Sequence, residues 1–271
     1  MFESILVAVD GSEQSWQAVD QAIEVARREG EGTVLHGLYV VDAALTTADY
    51  EFLAAEAMEV EASLKKRGWQ VLEEFTRRVK AAGMQAQTQL AEGEVGRTIC
   101  ERAGLADLVA IGREGAGGAT ARLLFGSTFE AVVRYSPRPV LVAVGPARPL
   151  RRVLLAYDGS QRAKDALEVV AQVARTRGIE VTALTVTEPG RAGEDTISGA
   201  VAYLQEHGVG PKAVLLSAEH PASAILRVAD REDVDLVVLG GYGHGRFLEL
   251  LFGHTVDEVV RGTTRPLLIC R

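Results

Sequence analysis

Two stretches of the chain carry residue types suited to holding an anion. Asp107-Leu-Val-Ala-Ile-Gly112 continues through Gly115 to Gly126-Ser127-Thr128, and Asp235-Leu-Val-Val-Leu-Gly240 continues through Gly243-His244 to Gly253-His254-Thr255. Glycines after an apolar run can take positive φ and bring backbone N–H groups close to a phosphate, and a following helix N-terminus adds partial positive charge. Neither loop fits G-x-x-x-x-G-K-[ST], which argues against a P-loop NTPase. Ser12, Ser127 and Ser160 have no G-x-S-x-G context and no His/Asp relay in the linear pattern, and no carboxylate or His pair is marked out to activate water. No catalytic residue is therefore assigned. His36, His207 and His220 lie away from the loops, so no metal-ligand spacing emerges and a zinc site is not expected.

The elements that must position these loops alternate. Ile5–Val9 reads as a buried strand, followed by Asp10-Gly11-Ser12 and a helix over Trp16–Arg28 that Ser12 or Ser15 can cap. Thr33–Val41 is a second strand and Ala43–Asp49 a loop. Ala55–Ala82 is a helix with Val60, Leu64, Leu72, Phe75 and Val79 on one face, despite Gly68 in its interior. Met84–Leu90 is a third strand, Val95–Ala103 a short helix, Asp107–Ile111 a fourth strand, Leu123–Tyr135 a helix and Pro137–Val144 a fifth strand. The uninterrupted apolar runs are those of strands covered on both faces, as in parallel sheets.

After the connector Gly145-Pro-Ala-Arg-Pro149 the order begins again. Asp10 recurs at Asp158, Gly112 at Gly240 and Pro139 at Pro266, offsets of 148, 128 and 127. The second copy is thus shorter, mostly in its middle helix at Asp195–Glu206. The fold class expected is α/β: two tandem doubly wound, parallel-sheet, Rossmann-like domains of five strands each, over residues 1–147 and 148–271. A hydrophobic fraction of 47% and a net charge of −8 fit a globular chain and argue against nucleic acid or an anionic membrane surface as partner. The opening run Met1–Asp10 is too short and insufficiently basic for a signal peptide or membrane span, so a cytoplasmic location is expected. Cys100 and Cys270 form no cluster and read as buried structural thiols of a reducing compartment.

Over nearly its whole length the chain resembles the universal stress protein (UspA) family in its tandem form. The resemblance rests on the Asp-Gly-Ser turns at Asp10 and Asp158, the Asp-Leu-Val strands before each Gly loop, and the Arg-Pro-(Val/Leu)-Leu openings of the last strands. Gly240, Gly243 and Gly253 keep the family's nucleotide spacing, with His254 where Ser or Thr is usual. Gly112, Gly115 and Gly126-Ser127 keep the residue types with one extra residue. The resemblance implies an ATP-binding protein in which adenine meets main chain at Ala8 and Val40, and at Ala156 and Val186. It puts Asp10 and Asp158 near ribose or Mg²⁺, and the phosphates on Gly112, Gly115, Gly126, Ser127 and Thr128, and on Gly240, Gly243, His244, Gly253, His254 and Thr255. Asp10 and Asp158 can equally fix the turn or cap the helix.

The function expected is a regulatory ATP-binding stress-response protein, at most a weak ATPase. A slow Mg²⁺-dependent adenine-nucleotide hydrolase and a nucleotide-free interaction module are the alternatives. The two halves are expected to pair as an intrachain pseudo-dimer, because their apolar last strands would otherwise expose edge groups. A homodimer of the whole chain is compatible, with no residue to specify it. Gly243→Asp should abolish nucleotide uptake at the second site, since a carboxylate would enter the phosphate nest. Unchanged ATP stoichiometry in a normally folded variant would reject that assignment.

Overall fold

The computed structural model describes residues 2–29, 32–42, 54–113, 126–175, 178–241 and 253–271. The chain divides into two compact units, Phe2–Ala147 and Arg148–Arg271. The first runs β1 (Ser4–Ala8), α1 (Glu13–Glu29), β2 (Val34–Asp42), α2 (Ala54–Ala81), β3 (Gln85–Gly93), α3 (Val95–Ala103), β4 (Leu108–Gly112), α4 (Ser127–Tyr135) and β5 (Val140–Ala143). Its strands lie in the order β3-β2-β1-β4-β5, and all pair in parallel. The second runs β6 (Arg152–Ala156), α5 (Gln161–Arg175), β7 (Glu180–Thr187), α6 (Glu194–Glu206), β8 (Lys212–Ser217), α7 (Pro221–Arg231), β9 (Leu236–Gly240), α8 (Gly253–Gly262) and β10 (Leu267–Cys270). It repeats the topology as β8-β7-β6-β9-β10, again all parallel. Both units are doubly wound α/β domains, as the alternation of elements requires.

Burial explains which runs became which strands. Every residue of β5 and β10 is buried, as are the first four of β4 and of β9, so these strands tolerate no polar alternation. By contrast β3 and β8 close one end of each order and are largely exposed. On α1, Ala18, Val19, Ala22, Ile23, Val25 and Ala26 face the core. Arg78 of α2 lies 4.5 Å from the Trp16 ring centroid, pairs with Glu74 at 2.7 Å and reaches Asp20 at 3.7 Å, which ties α1 to α2. The hydrogen bonds from Arg77 and Arg78 hold the Glu74 carboxyl at about 2. The middle helix accounts for most of the length difference between copies, with 28 residues in α2 against 13 in α6.

The long helix corrects one expectation. Leu72, Phe75 and Val79 are buried as expected, but Val60 is 48% exposed and Met58 and Trp69 are more exposed still. The amino-terminal half of α2 therefore extends beyond the face its apolar spacing suggests. Gly68 does have a packing reason: a Cβ there would come within 2.7 Å of the Tyr39 ring and 2.8 Å of Leu90 Cδ1. The helix needs a glycine to lie this close to the sheet. The expected loop Ala43–Asp49 and the start of the helix expected from Leu123 lie outside the described residues.

The paired Asp-Leu-Val motifs turn out to clamp the sheet at the end opposite the Gly loops. Asp107 Oδ2 accepts hydrogen bonds from the Glu3 and Ser4 N–H groups at 2.9 and 3.0 Å, and Asp235 Oδ2 accepts from Arg151 and Arg152 N–H at 2.9 Å each. Each carboxylate joins the start of the fourth strand of its unit to the start of the first. The Arg-Pro openings are anchors as well. Thr263 Oγ1 donates to Arg265 O and accepts from Arg265 N–H at 2.9 Å, and the buried Arg265 side chain donates to Ala229 O and pairs with Asp230 at 3.2 Å. Removing a carboxylate that receives two backbone N–H bonds leaves both donors unsatisfied, so Asp235→Ala should cost about 3 kcal/mol and lower the urea midpoint of the second unit. An unchanged midpoint would contradict the clamp.

Candidate functional site

In each unit the strand order reverses between the first and fourth strands, and ligands of open α/β sheets bind in the crevice beyond the carboxyl ends there. The register puts Val7 opposite Ala110 and Ala8 opposite Leu38, so Ala8, Asp10, Val40 and Gly112 gather at that end of the first unit. In the second, Ala156 lies opposite both Leu239 and Leu184, which gathers Ala156, Asp158, Val186 and Gly240. Ala8, Val40, Ala156 and Val186 are all half-buried. Past each first strand the pairing continues through Val9 N–H to Leu38 O and through Tyr157 N–H to Leu184 O.

The Asp-Gly-Ser turns have a local explanation that is the same in both copies. Asp10 Oδ1 accepts from Ser12 N–H at 2.8 Å, and Asp158 Oδ1 from Ser160 N–H at 2.9 Å. Gly11 and Gly159 sit at φ of +83° and +79°, where an L side chain is strained. Ser12 Oγ then accepts from Ser15 N–H and Ser160 Oγ from Ala163 N–H, capping α1 and α5. Each turn thus fixes where its first helix starts, while the aspartate stands at the mouth of the crevice.

Gly112 and Gly240 are glycines for a reason other than positive φ. A Cβ on Gly112 would meet the Gln14 carbonyl carbon and oxygen at 2.7 Å, and one on Gly240 would meet Ala163 N and the Arg162 carbonyl carbon at 2.7 Å. The end of the fourth strand is pressed against backbone in the first turn of α1 or α5. This contact was not apparent from the motif spacing, which suggested phosphate approach.

Beyond the loop, α4 begins at Ser127 with Gly126 as its N-cap in extended backbone, a residue with no side chain to cap it. Ser127 is exposed and Thr128 half-buried. The neighbouring α3 does have a cap, with Glu94 accepting from Gly96 and Arg97 N–H at 3.0 and 2.8 Å. The two helix starts are adjacent: the point where a Gly96 Cβ would sit is 3.3 Å from Glu94 Oε1 and 3.6 Å from Thr128 Cα. In the second unit the corresponding N-cap of α7 is His220, which makes no side-chain cap bond, followed by Pro221. Glu94 was not among the expected site residues, although its place just before α3 marks it as an N-cap. The walls beside the turns differ too. A Cβ at Gly11 would touch Val71 of α2 at 3.0 Å, and one at Gly159 would lie 3.4 Å from Thr196 of α6, whose first turn carries Glu194 and Asp195. Hydrogen bonds from its own N–H and that of Gly193 hold the Glu194 carboxyl below the usual range.

Gly115, Gly243 and His244 lie outside the described residues, while Gly253, His254 and Thr255 open α8. Among the described residues no group of three His, Cys, Asp or Glu side chains could hold a metal ion. Burial pushes the Cys270 thiol up to about 12, and Cys100 is only partly buried with Sγ 3.7 Å from Ala131 O.

A family model described as Universal stress protein family matches residues 1–143 and again 149–271. The chain belongs to the universal stress protein family and carries two copies of its domain in tandem. It is 26% identical over 291 aligned residues to a universal stress protein of Mycolicibacterium smegmatis, covering 98% of this chain and 96% of that one. It is also 28% identical over 170 residues to the universal stress protein Slr1230 of Synechocystis, an alignment spanning 61% of this chain and 58% of that relative. A universal stress protein from Archaeoglobus fulgidus has the same fold over 99% of this chain and 96% of its own, at a TM-score of 0.80 and 22% identity.

Gly240→Ala separates a packing role from a ligand role. Forcing a methyl into the first turn of α5 should lower stability by about 2 kcal/mol with no nucleotide present. A thermal midpoint equal to the parent's would reject the packing role.

Proposed function

We propose that each half is an adenine-nucleotide site and that the protein is a regulatory ATP-binding member of its family, acting in the cytoplasm in response to stress. The observation that carries this reading is the gathering of Ala8, Asp10, Val40 and Gly112 at the switch point of the first unit, with α4 opening at Gly126-Ser127-Thr128 after the loop that leaves the fourth strand there. A helix start whose N-cap is glycine suits phosphate oxygens, and half-buried Ala8 and Val40 leave room for a flat base against main chain. In the second half Ala156, Asp158, Val186, Gly253, His254 and Thr255 take the same parts.

Adenine nucleotide fits these residues better than a resident metal does. One oxygen of Asp10 or Asp158 already receives a serine N–H, so Mg²⁺ would arrive on the phosphates and lean on a single carboxylate. The nucleotide works as a ligand that shifts a conformational state, and this chain's residues bind and orient it.

The two sites are unequal for an electrostatic reason. The first has the Glu94 carboxylate beside its phosphate-binding helix start, where the second has His220 in place of an acid. Two like charges about 6 Å apart at an effective dielectric near 20 repel by about 2 to 3 kcal/mol, and solvent at an exposed carboxylate screens much of that. Calorimetric titration of the full chain with ATP, ADP, AMP and GTP, with and without Mg²⁺, should give two classes of site for ATP, the second unit tighter, and none for GTP. Absence of any heat with all four nucleotides would overturn the reading.

A further inference from the structure

Among the described residues the strand β3 ends its sheet as an open edge, and its sequence is built unlike a guarded one. Over Gln85–Gly93 it pairs residue for residue with β2, with no bulge and no proline. From Gln85 to Ala91 it carries no charge: Gln-Ala-Gln-Thr-Gln-Leu-Ala. Edge strands that stay unpaired are usually short or carry charges or proline on the edge, because a free row of N–H and C=O groups is a template for another strand. The corresponding edge of the second unit follows that rule. There β8 has six residues, follows Pro211 and opens with Lys212, whose Nζ pairs with Glu232 at 2.5 Å.

The two faces of β3 are also distinct. Leu90 and Glu92 face α2, since a Cβ on Gly68 would meet Leu90 and Lys65 of α2 pairs with Glu92 at 2.8 Å. Gln85, Gln87 and Gln89, which alternate with them, point to the other face and are all exposed.

We propose that β3 pairs antiparallel with β3 of a second copy of this chain, about a two-fold axis through Thr88. The occupant follows from the sequence being self-complementary about that residue. An antiparallel pair centred on Thr88 sets Gln87 opposite Gln89 of the partner subunit, Ala86 opposite Leu90 of the partner subunit and Gln85 opposite Ala91 of the partner subunit. In the two central pairs amide meets amide and apolar group meets apolar group, the outer Gln85 meets Ala91, and no like charges oppose. Two-fold pairing closes the assembly at two chains because each copy uses this edge once. This interface is separate from the nucleotide sites, which lie at the switch points of the sheets, and neither proposal depends on the other.

Sedimentation of the full-length protein over a range of concentrations tests the interface. The parent should move toward twice the 29.0 kDa chain mass as concentration rises. The variant Q87K/Q89K sets lysine opposite lysine twice across the axis and should weaken the dimer about ten-fold or more. The variant Q87K/Q89E sets lysine opposite glutamate twice and should dimerise at least as well as the parent. A parent that remains at 29.0 kDa at every concentration, a dimer unaffected by Q87K/Q89K, or a Q87K/Q89E chain that is monomeric while its circular dichroism matches the parent would each overturn the proposal.

Discussion

Each unit depends on one close approach, that of the last residue of the fourth strand to the first turn of the first helix. Gly112 touches Gln14 backbone and Gly240 touches Arg162 and Ala163 backbone, at distances no Cβ could share. Because the helix start is itself fixed by the Asp-Gly-Ser turn, through the Ser12 and Ser160 caps, the contact sets the position of the turn relative to the fourth strand. Those two segments bound the crevice at the switch point. The geometry of the crevice thus follows from a packing constraint, and the glycine holds its walls together.

The opposite end of each sheet is held by charge. Asp107 and Asp235 gather backbone N–H groups from the start of the neighbouring first strand, and Arg265 spans from the last strand to the end of α7. In the second unit this end is elaborated by Asp233, whose carboxyl is held below the usual range chiefly by its hydrogen bond from Arg152. The position that matches it in the first unit is Leu105, 83% exposed. The copies therefore share the clamp and differ in the ion pairs around it, as they share the crevice and differ in the charge beside it at Glu94 and His220. Duplication preserved the groups that fix the backbone and let the groups facing solvent diverge.

The periodicity of the sequence determined the repeat, the order of strands and helices and the class of fold, because strand and helix periods and the apolar runs of doubly covered strands are properties of neighbouring residues. The limits of α3 and the places of Asp10 and Asp158 in their turns could be read the same way. Tertiary structure alone decided what each special residue touches. The partner of Gly112 lies on α1 and that of Asp107 at Ser4, both about a hundred residues earlier in the chain. Likewise Val60 has the spacing of a core residue but is exposed. A local pattern constrains φ, ψ and the face a side chain takes. Which atoms fill the space opposite that face depends on segments brought together only by the folded sheet.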